Sequence, residues 1–341
     1  MPVPSDDALP PFLPPTPEGV ARAAELLRAG EVVALPTETV YGLAAHALDE
    51  KAVRQIFAVK GRPLIDPLIV HGLDVEFLLT LAHFTPQARQ LAEACWPGPL
   101  TLVLKKRATV PNLVTAGRDT VAVRAPAHPL ARAILEASGL PLAAPSANPF
   151  GYISPTCAEH VRASFGAKVP WILDGGPCAV GLESTIVDVS DPDVPPRLLR
   201  PGPITVETLG KILGQPIELV APTKGADKTQ GMVAPGLLAR HYSPRTPLIL
   251  WDPAMGPPIA SNARTAWVRL SRPASGGHPP SNTEVFWLSE NGELGEAARG
   301  LYELLRRLDE AGFAKIYCEM APEADIGAAL NDRLRRAAGQ G

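Results

Sequence analysis

The chain has 341 residues, long enough for two ordinary domains. Apolar residues make up 46% and charged residues 20%, which excludes global disorder and allows a large core. The net charge of -3, from 32 basic and 35 acidic side chains, speaks against coating nucleic acid by bulk charge but leaves room for a local basic cavity. The N-terminal stretch MPVPSDDALPPFLPPTP is acidic and proline-rich, unlike a signal peptide, and reads as a flexible arm over residues 1–15. Thr16 then caps a first helix, with Pro17 at its first position, Val20, Ala24 and Leu27 on one face and Gly30 as its stop. EVVAL (31–35) reads as a buried strand. A second helix runs from Asp49, with Val53, Ile56 and Phe57 as its stripe, Lys60 in its last turn and Gly61 ending it.

The alternation continues. Strands are predicted at 67–71, 101–105, 121–125, 141–145, 171–175, 184–189 and 197–200, and helices at 86–95, 129–137, 156–165 and 205–213. Strands alternating with short helices imply an α/β sheet, whose strand ends are the usual place for ligands. Periodicity fades after Gly214. The polar, glycine-bearing stretch 221–236 reads as a linker. A second unit starts near Arg245, with short strands at LILW, AWVRL, EVFWL and KIYCE. Its long helix has Leu294, Ala298, Leu301, Leu305 and Leu308 on one face. The predicted organisation is an arm (1–15), a first domain (16–214), a linker (215–244) and a second α/β domain (245–341). No apolar run approaches the roughly 18 residues of a membrane span. The four cysteines are widely spaced and lack C-x-x-C pairing, which argues against a zinc site and suits a reducing cytoplasm. Cys95, Cys157 and Cys178 read as small core residues.

The chemistry sits in PTETVYGL (36–43), KGRPLIDPLIVH (60–71), DTVAVRAPAHP (119–129), APSANPFGYISPT (144–156), GLESTIVDV (181–189) and LLRPGP (198–203). Without their apolar residues these leave the cations Lys60, Arg62, Arg124 and Arg200. They also leave the hydroxyls of Thr37, Thr39, Thr120, Ser146, Ser154 and Ser184, together with Asn148 and His71. Arginine offers a planar fork for phosphate or carboxylate and lysine a point charge, so this set suits a polyanion plus a small polar ligand. No GK[ST] phosphate loop, GxGxxG, HExxH or GxSxG is present. Taken singly, Lys60 and Arg62 also suit a helix C-terminus, the S-x-N turn a simple turn before Pro149, and His71 a structural strand end.

KGR paired with SAN, together with PTETVYGL, WPGPLT, DTVAVRAPAHP, ESTIVD and LLRPGP in this order, resembles the YrdC-like threonylcarbamoyl-AMP synthase family. The likeness runs from about residue 16 to 210, and APGLLARHYSP (234–244) resembles the linker of its long form. That resemblance implies a twisted mixed sheet around a basic cavity plus a small Rossmann-like C-terminal α/β domain. The implied reaction turns L-threonine, bicarbonate and ATP, with Mg²⁺ on the phosphates, into threonylcarbamoyl-AMP and pyrophosphate. A separate transferase complex then passes the product to tRNA. It further implies that Lys60 and Arg62 serve catalysis at the ATP phosphates with Ser146 and Asn148, and that Thr120, Ser154 and Arg200 hold the nucleotide. Thr39, His71, Arg124, the Ala144 backbone and Ser184 would hold threonine. Asp66 stands where many relatives carry Asn; a carboxylate there repels phosphate unless it meets ribose hydroxyls, an amino group or the magnesium. Arg240, His241 and Tyr242 suit a strap over the nucleotide, with Arg240 reaching phosphate and Tyr242 stacking or hydrogen-bonding. Two other readings are a carbamoyl transferase, whose C-x-x-C pairs are absent here, and a non-catalytic double-stranded RNA or tRNA binder. Weak RNA binding is compatible with the synthase reading too.

Overall fold

A computed structural model describes residues 10–220, 231–236, 241–252, 262–272 and 281–340. Expectations for residues 1–9, 221–230 and Arg240 lie outside the described residues. The first unit runs α1 (Pro17–Arg28), β1 (Val33–Leu35), β2 (Gly42–His46), α2 (Glu50–Lys60), β3 (Ile69–His71), α3 (Val75–Leu78), β4 (Ala82–His83) and α4 (Pro86–Cys95). It continues through β5 (Leu100–Lys106), α5 (Asn112–Thr115), β6 (Thr120–Arg124), α6 (Pro129–Ser138), β7 (Leu142–Ala143) and α7 (Ala158–Phe165), then β8 (Thr185–Asp188), β9 (Arg197–Arg200), α8 (Val206–Leu213) and β10 (Glu218–Leu219). Helix starts follow their caps: the side chains of Thr16, Asp49, Thr85 and Thr205 each accept a hydrogen bond from a first-turn N–H.

These strands form one mixed sheet in the order β1-β2-β7-β3-β6-β5-β8-β9-β10, with β4 on β5. The register positions the site. His71 and Arg124 are partners at the ends of the parallel pair β3 and β6. The parallel pair β5 and β8 brings Ser184, just before β8, beside Thr101. Arg200 closes β9 against Ile186.

The second unit is the four-stranded parallel sheet β11 (Leu248–Trp251), β14 (Lys315–Glu319), β12 (Thr265–Ser271) and β13 (Thr283–Ser289), in that spatial order. Helices α9 (Leu294–Glu310) and α10 (Gly327–Ala337) complete it. One hydrophobic cluster joins Leu301, Leu305 and Leu330 of this unit to Val40, Ile153 and Leu182 of the first, so the two units share a packed boundary.

Three sequence expectations change. The segment 171–175 forms isolated bridges, Ala34 with Ile172 and Leu13 with Leu173, instead of a strand. The end of the N-terminal arm is pinned: Leu13 donates to the Ile172 carbonyl (2.8 Å) and accepts from Asp174 (3.0 Å). Extended backbone between prolines can pair with an edge, and Phe12 packs on the core. Cys95 and Cys157 are only half-buried, whereas Cys178 and Cys318 are buried. No helix among the described residues is long and apolar enough to cross a membrane.

Candidate active site

The strand ends enclose a cavity of about 50 Å³. Its wall includes Thr39, Arg62, His71, Arg124, Ala144, Ser146, Ser184, Arg200 and Tyr242, nine of the residues singled out from sequence. Thr37, also singled out from sequence, lines it too, as do Glu183, Pro235, Gly236 and His241. Three arginines therefore border one small space, all nearly fully buried. Such convergence of cations is unfavourable unless anions neutralise it.

Part of that neutralisation is internal. Arg124 forms an ion pair with Glu38 (2.6 Å) and donates to Thr39 Oγ1 (2.9 Å). Burial raises the Glu38 pKa, but Arg124 outweighs it and holds the carboxyl below its usual range. Thr37 gives its hydroxyl proton to the Val40 carbonyl (2.6 Å), so the Thr37–Thr39 bond (2.8 Å) must be donated by Thr39. Thr39 thus faces Arg124 as an acceptor. His71 is buried and its pKa is pushed down to about 3 by burial and then by Arg124, so it is neutral at physiological pH.

The K-x-R motif divides its work. Lys60 lies outside the cavity wall; its ammonium donates to the carbonyls of Ser146 (2.6 Å) and Asn148. Burial, and then Arg62, push its pKa well down. Phe150 N–H donates to Lys60 O (2.8 Å), and the Asn148 amide donates to Pro149 O and Tyr152 O (both 2.9 Å), which fixes the S-x-N loop. Arg62 reaches the cavity and is held by Asp66 Oδ1 (2.9 Å), Asp66 O (3.1 Å) and Pro67 O (2.7 Å). Asp66 is therefore the counter-ion of Arg62, fully buried beneath it, and this pairing accounts for a carboxylate beside a phosphate-type site. Burial still pushes the Asp66 carboxyl up, against Arg62 and Lys60.

Besides Lys60, Asp66 and Asn148, two further predicted residues lie outside the cavity wall. The Ser154 hydroxyl is buried and donates to Glu183 Oε1 (2.6 Å). Thr120 borders a separate space with Lys105, Arg118, Asp119 and Arg197. Apart from atoms of the ion-paired Glu38, Asp66 and Arg124, buried polar atoms near or in the wall without a hydrogen-bond partner among the described residues are His71 Nδ1, Asn148 Oδ1, His241 Nδ1 and Tyr242 Oη. Such atoms are rare in folded chains and suit a polar ligand.

Cys157, His160 and Glu303 are grouped closely enough to suggest a metal. The tautomer argues against one. His160 Nδ1 accepts from Thr156 N–H (3.2 Å), which leaves the ring proton on Nε2, and that nitrogen donates to Glu303 (2.8 Å). Nε2 is then not free to ligate, and burial keeps Cys157 a thiol by pushing its pKa up to about 12.

A family model described as telomere recombination, Sua5/YciO/YrdC, matches residues 25–202, and one described as the threonylcarbamoyl-AMP synthase C-terminal domain matches residues 204–339. The chain belongs to the threonylcarbamoyl-AMP synthase family. Threonylcarbamoyl-AMP synthases of Pyrococcus abyssi and Bacillus subtilis are each 42% identical to it, over 327 and 333 residues. Those alignments cover 93% and 94% of this chain and 93% of each relative. The crystal structure of P. abyssi Sua5 complexed with L-threonine matches with a TM-score of 0.85 at 38% identity, covering 97% of this chain and 98% of that one.

Threonylcarbamoyl-AMP synthases are enzymes of nucleotidyltransferase type that supply a tRNA modification. Sequence reasoning on this synthase missed Glu38 and Glu183, although both stand inside quoted motifs, because their arginine partners Arg124 and Arg333 are distant in sequence. It also missed Tyr302 and Arg333, which bond Glu183 from the second unit. Nothing local marks them: NDRLRRAAG reads as an ordinary charged helix face.

Proposed function

We propose that this cavity forms threonylcarbamoyl-AMP and pyrophosphate from L-threonine, bicarbonate and ATP, and that the protein passes the product to a tRNA threonylcarbamoyl transferase in the cytoplasm. The observation that carries the reading is the convergence of Arg62, Arg124 and Arg200 with Thr39, His71, Ser146 and Ser184 on one wall. Four unpaired cysteines fit a reducing compartment.

In this reading the Arg124 fork takes the threonine carboxylate, with Thr39 and the Ala144 backbone beside it. Neutral His71 and Ser184 meet the hydroxyl. A carbamate oxygen of N-carboxythreonine attacks the α-phosphorus; the new P–O bond forms as the bond to pyrophosphate breaks. Both reactants are anionic, so Arg62 and Arg200 act by neutralising and aligning them, with Lys60, Ser146 and Asn148 shaping the phosphate loop. Thr120 and Ser154 complete the nucleotide side through the second space and through Glu183. The nearby carboxylates Glu38, Asp66 and Glu183 are each paired with an arginine. They are poor ligands for Mg²⁺, which arrives on the ATP phosphates.

A space of about 50 Å³ is far below the several hundred Å³ that a nucleotide site needs. Pro235, Gly236, His241 and Tyr242 lie across it, with Arg200 Nη1 donating to Pro235 O (3.4 Å). We therefore read residues 215–244 as a linker that doubles as a strap between a catalytic unit (16–214) and a second unit (245–341). It withdraws to admit ATP and closes over a labile carbamate and mixed anhydride. The test is to incubate the protein with ATP, labelled bicarbonate and L-threonine and follow pyrophosphate. No threonine-dependent release would sink the reading.

A further inference from the structure

Glu183 sits in the cavity wall, directly before Ser184. It is buried, yet its carboxyl is held below its usual range. Burial pushes the pKa up; Arg333, Arg200 and hydrogen bonds from Ser154 and Arg333 more than reverse that. Its partners divide between the two units. Oε1 accepts from Ser154 of the first unit (2.6 Å). Oε2 accepts from Tyr302 on α9 (2.9 Å) and from Arg333 Nε on α10 (2.7 Å). Arg333 Nη2 also donates to the Glu183 carbonyl (3.3 Å).

The same two residues seat the strap. The Tyr242 ring stacks on Tyr302, with centroids 5.9 Å apart and planes 30° apart, and the Arg333 guanidinium lies 5.3 Å from the Tyr242 centroid. Arg306 on α9 adds a third hold, donating to the carbonyls of Ser154 (3.3 Å) and Ile153. The second unit thus grips the wall at Glu183, the segment 153–154 behind it and the strap at Tyr242. Arg333 is fully buried. A cation so placed is stable only because the geometry around it is complete, so its partners cannot drift without loss.

We propose that Tyr302 and Arg333 are positioning residues of the synthase active site, acting through Glu183 on Ser154 and Ser184. On the proposed reaction, neither touches the reacting atoms. They make the second unit an integral part of the site, fixing the wall that the nucleotide and threonine press against.

The test uses the full-length chain. Tyr302→Phe removes only the hydroxyl bonded to Glu183 and keeps the ring under Tyr242. Losing a hydrogen bond to a charged, buried group predicts about a tenfold fall in kcat/KM for ATP or threonine. Glu183→Gln should lose at least as much, and Arg333→Lys, which breaks the fork, more than Tyr302→Phe. Adding Tyr302→Phe to Glu183→Gln should cost less than about twofold further, since both act on one carboxylate. Glu303→Ala breaks another bond across the same boundary, from His160 Nε2 (2.8 Å), without touching Glu183, and should change kcat/KM less than about twofold. Denaturation midpoints separate unfolding from loss of function. A folded Tyr302→Phe protein with wild-type kcat and KM overturns the proposal, as does an equal effect of Glu303→Ala or full additivity in the double variant. Should the wild type release no pyrophosphate, the reaction itself is misread. Equilibrium binding of ATP and of L-threonine then decides, and unchanged affinities in Tyr302→Phe overturn the positioning role.

Discussion

Replacing Asp66 with asparagine tests the division of labour in the K-x-R motif. The carboxylate lies 2.9 Å from Arg62 Nη2, with the two side chains 0% and 3% exposed. Asparagine is nearly isosteric and keeps an acceptor, but it removes the negative charge. Breaking a buried ion pair by deleting one partner costs about 3–5 kcal/mol, and the retained acceptor argues for the lower end. The unliganded variant should therefore unfold at a clearly lower denaturant concentration. ATP brings the missing charge with it. A ligand at 100 times its Kd adds about 2.7 kcal/mol of stability, so saturating ATP should recover most of the loss. It should also stabilise the variant more than the wild type, where phosphate competes with Asp66 for Arg62. The assay is urea or guanidinium denaturation with and without ATP. An unchanged midpoint, or an equal ATP effect in both proteins, would refute the assignment of Asp66 as counter-ion.

Arg62→Lys keeps the charge but loses the fork that meets Asp66 and Pro67, so kcat/KM should fall roughly 10- to 100-fold in pyrophosphate release; unchanged kinetics would remove Arg62 from the site. Valine lacks the hydroxyl assigned to His71 and Ser184 and should be rejected by up to about 10⁴-fold, whereas serine should suffer only about a 10- to 200-fold penalty; equal turnover of valine and threonine contradicts the pocket. Because the His71 pKa falls from 6.5 to about 3 on folding, the folded state excludes a proton that the unfolded chain binds. Its contribution is intact above pH 6.5 and is lost as pH falls from 6.5 towards 3. His71→Gln should flatten the pH dependence of the denaturation midpoint in that window. Limited proteolysis within 221–244 should be suppressed by ATP plus threonine if the strap closes, and unchanged cleavage would count against it.

The framework was legible where local signals are strong. Helices 86–95 and 129–137 sit almost where their prolines and apolar stripes put them, as α4 and α6. Strand β2 was missed because GLAAH is buried on both faces and has no alternation to read. Short pieces such as β4 and α3 carry too few residues for any period. In the site, cations and hydroxyls were legible as types, and the register of β3 on β6 brings His71 and Arg124 together. Their partners were not. Whether Lys60 faces a phosphate or two carbonyls depends on where residues 146–148 return in space, 86 or more positions later. The same holds for Glu183 and Arg333, 150 residues apart.

The left-handed Gly61 that ends α2, at φ 64°, decides what the cations around it can do. Had the helix run on, Lys60 and Arg62 would point about 160° apart around its axis, and only one could have faced the strand ends. Lys60, still in the helix, reaches the loop carbonyls, and the reversal after it sends Arg62 into the cavity. A Cβ at residue 61 would meet nothing within 4 Å, so the position is constrained by backbone conformation and not by room. The helix end, the turn and the arginine therefore form one geometric unit. Grafting the two cations alone onto another scaffold would carry over their charges without their directions.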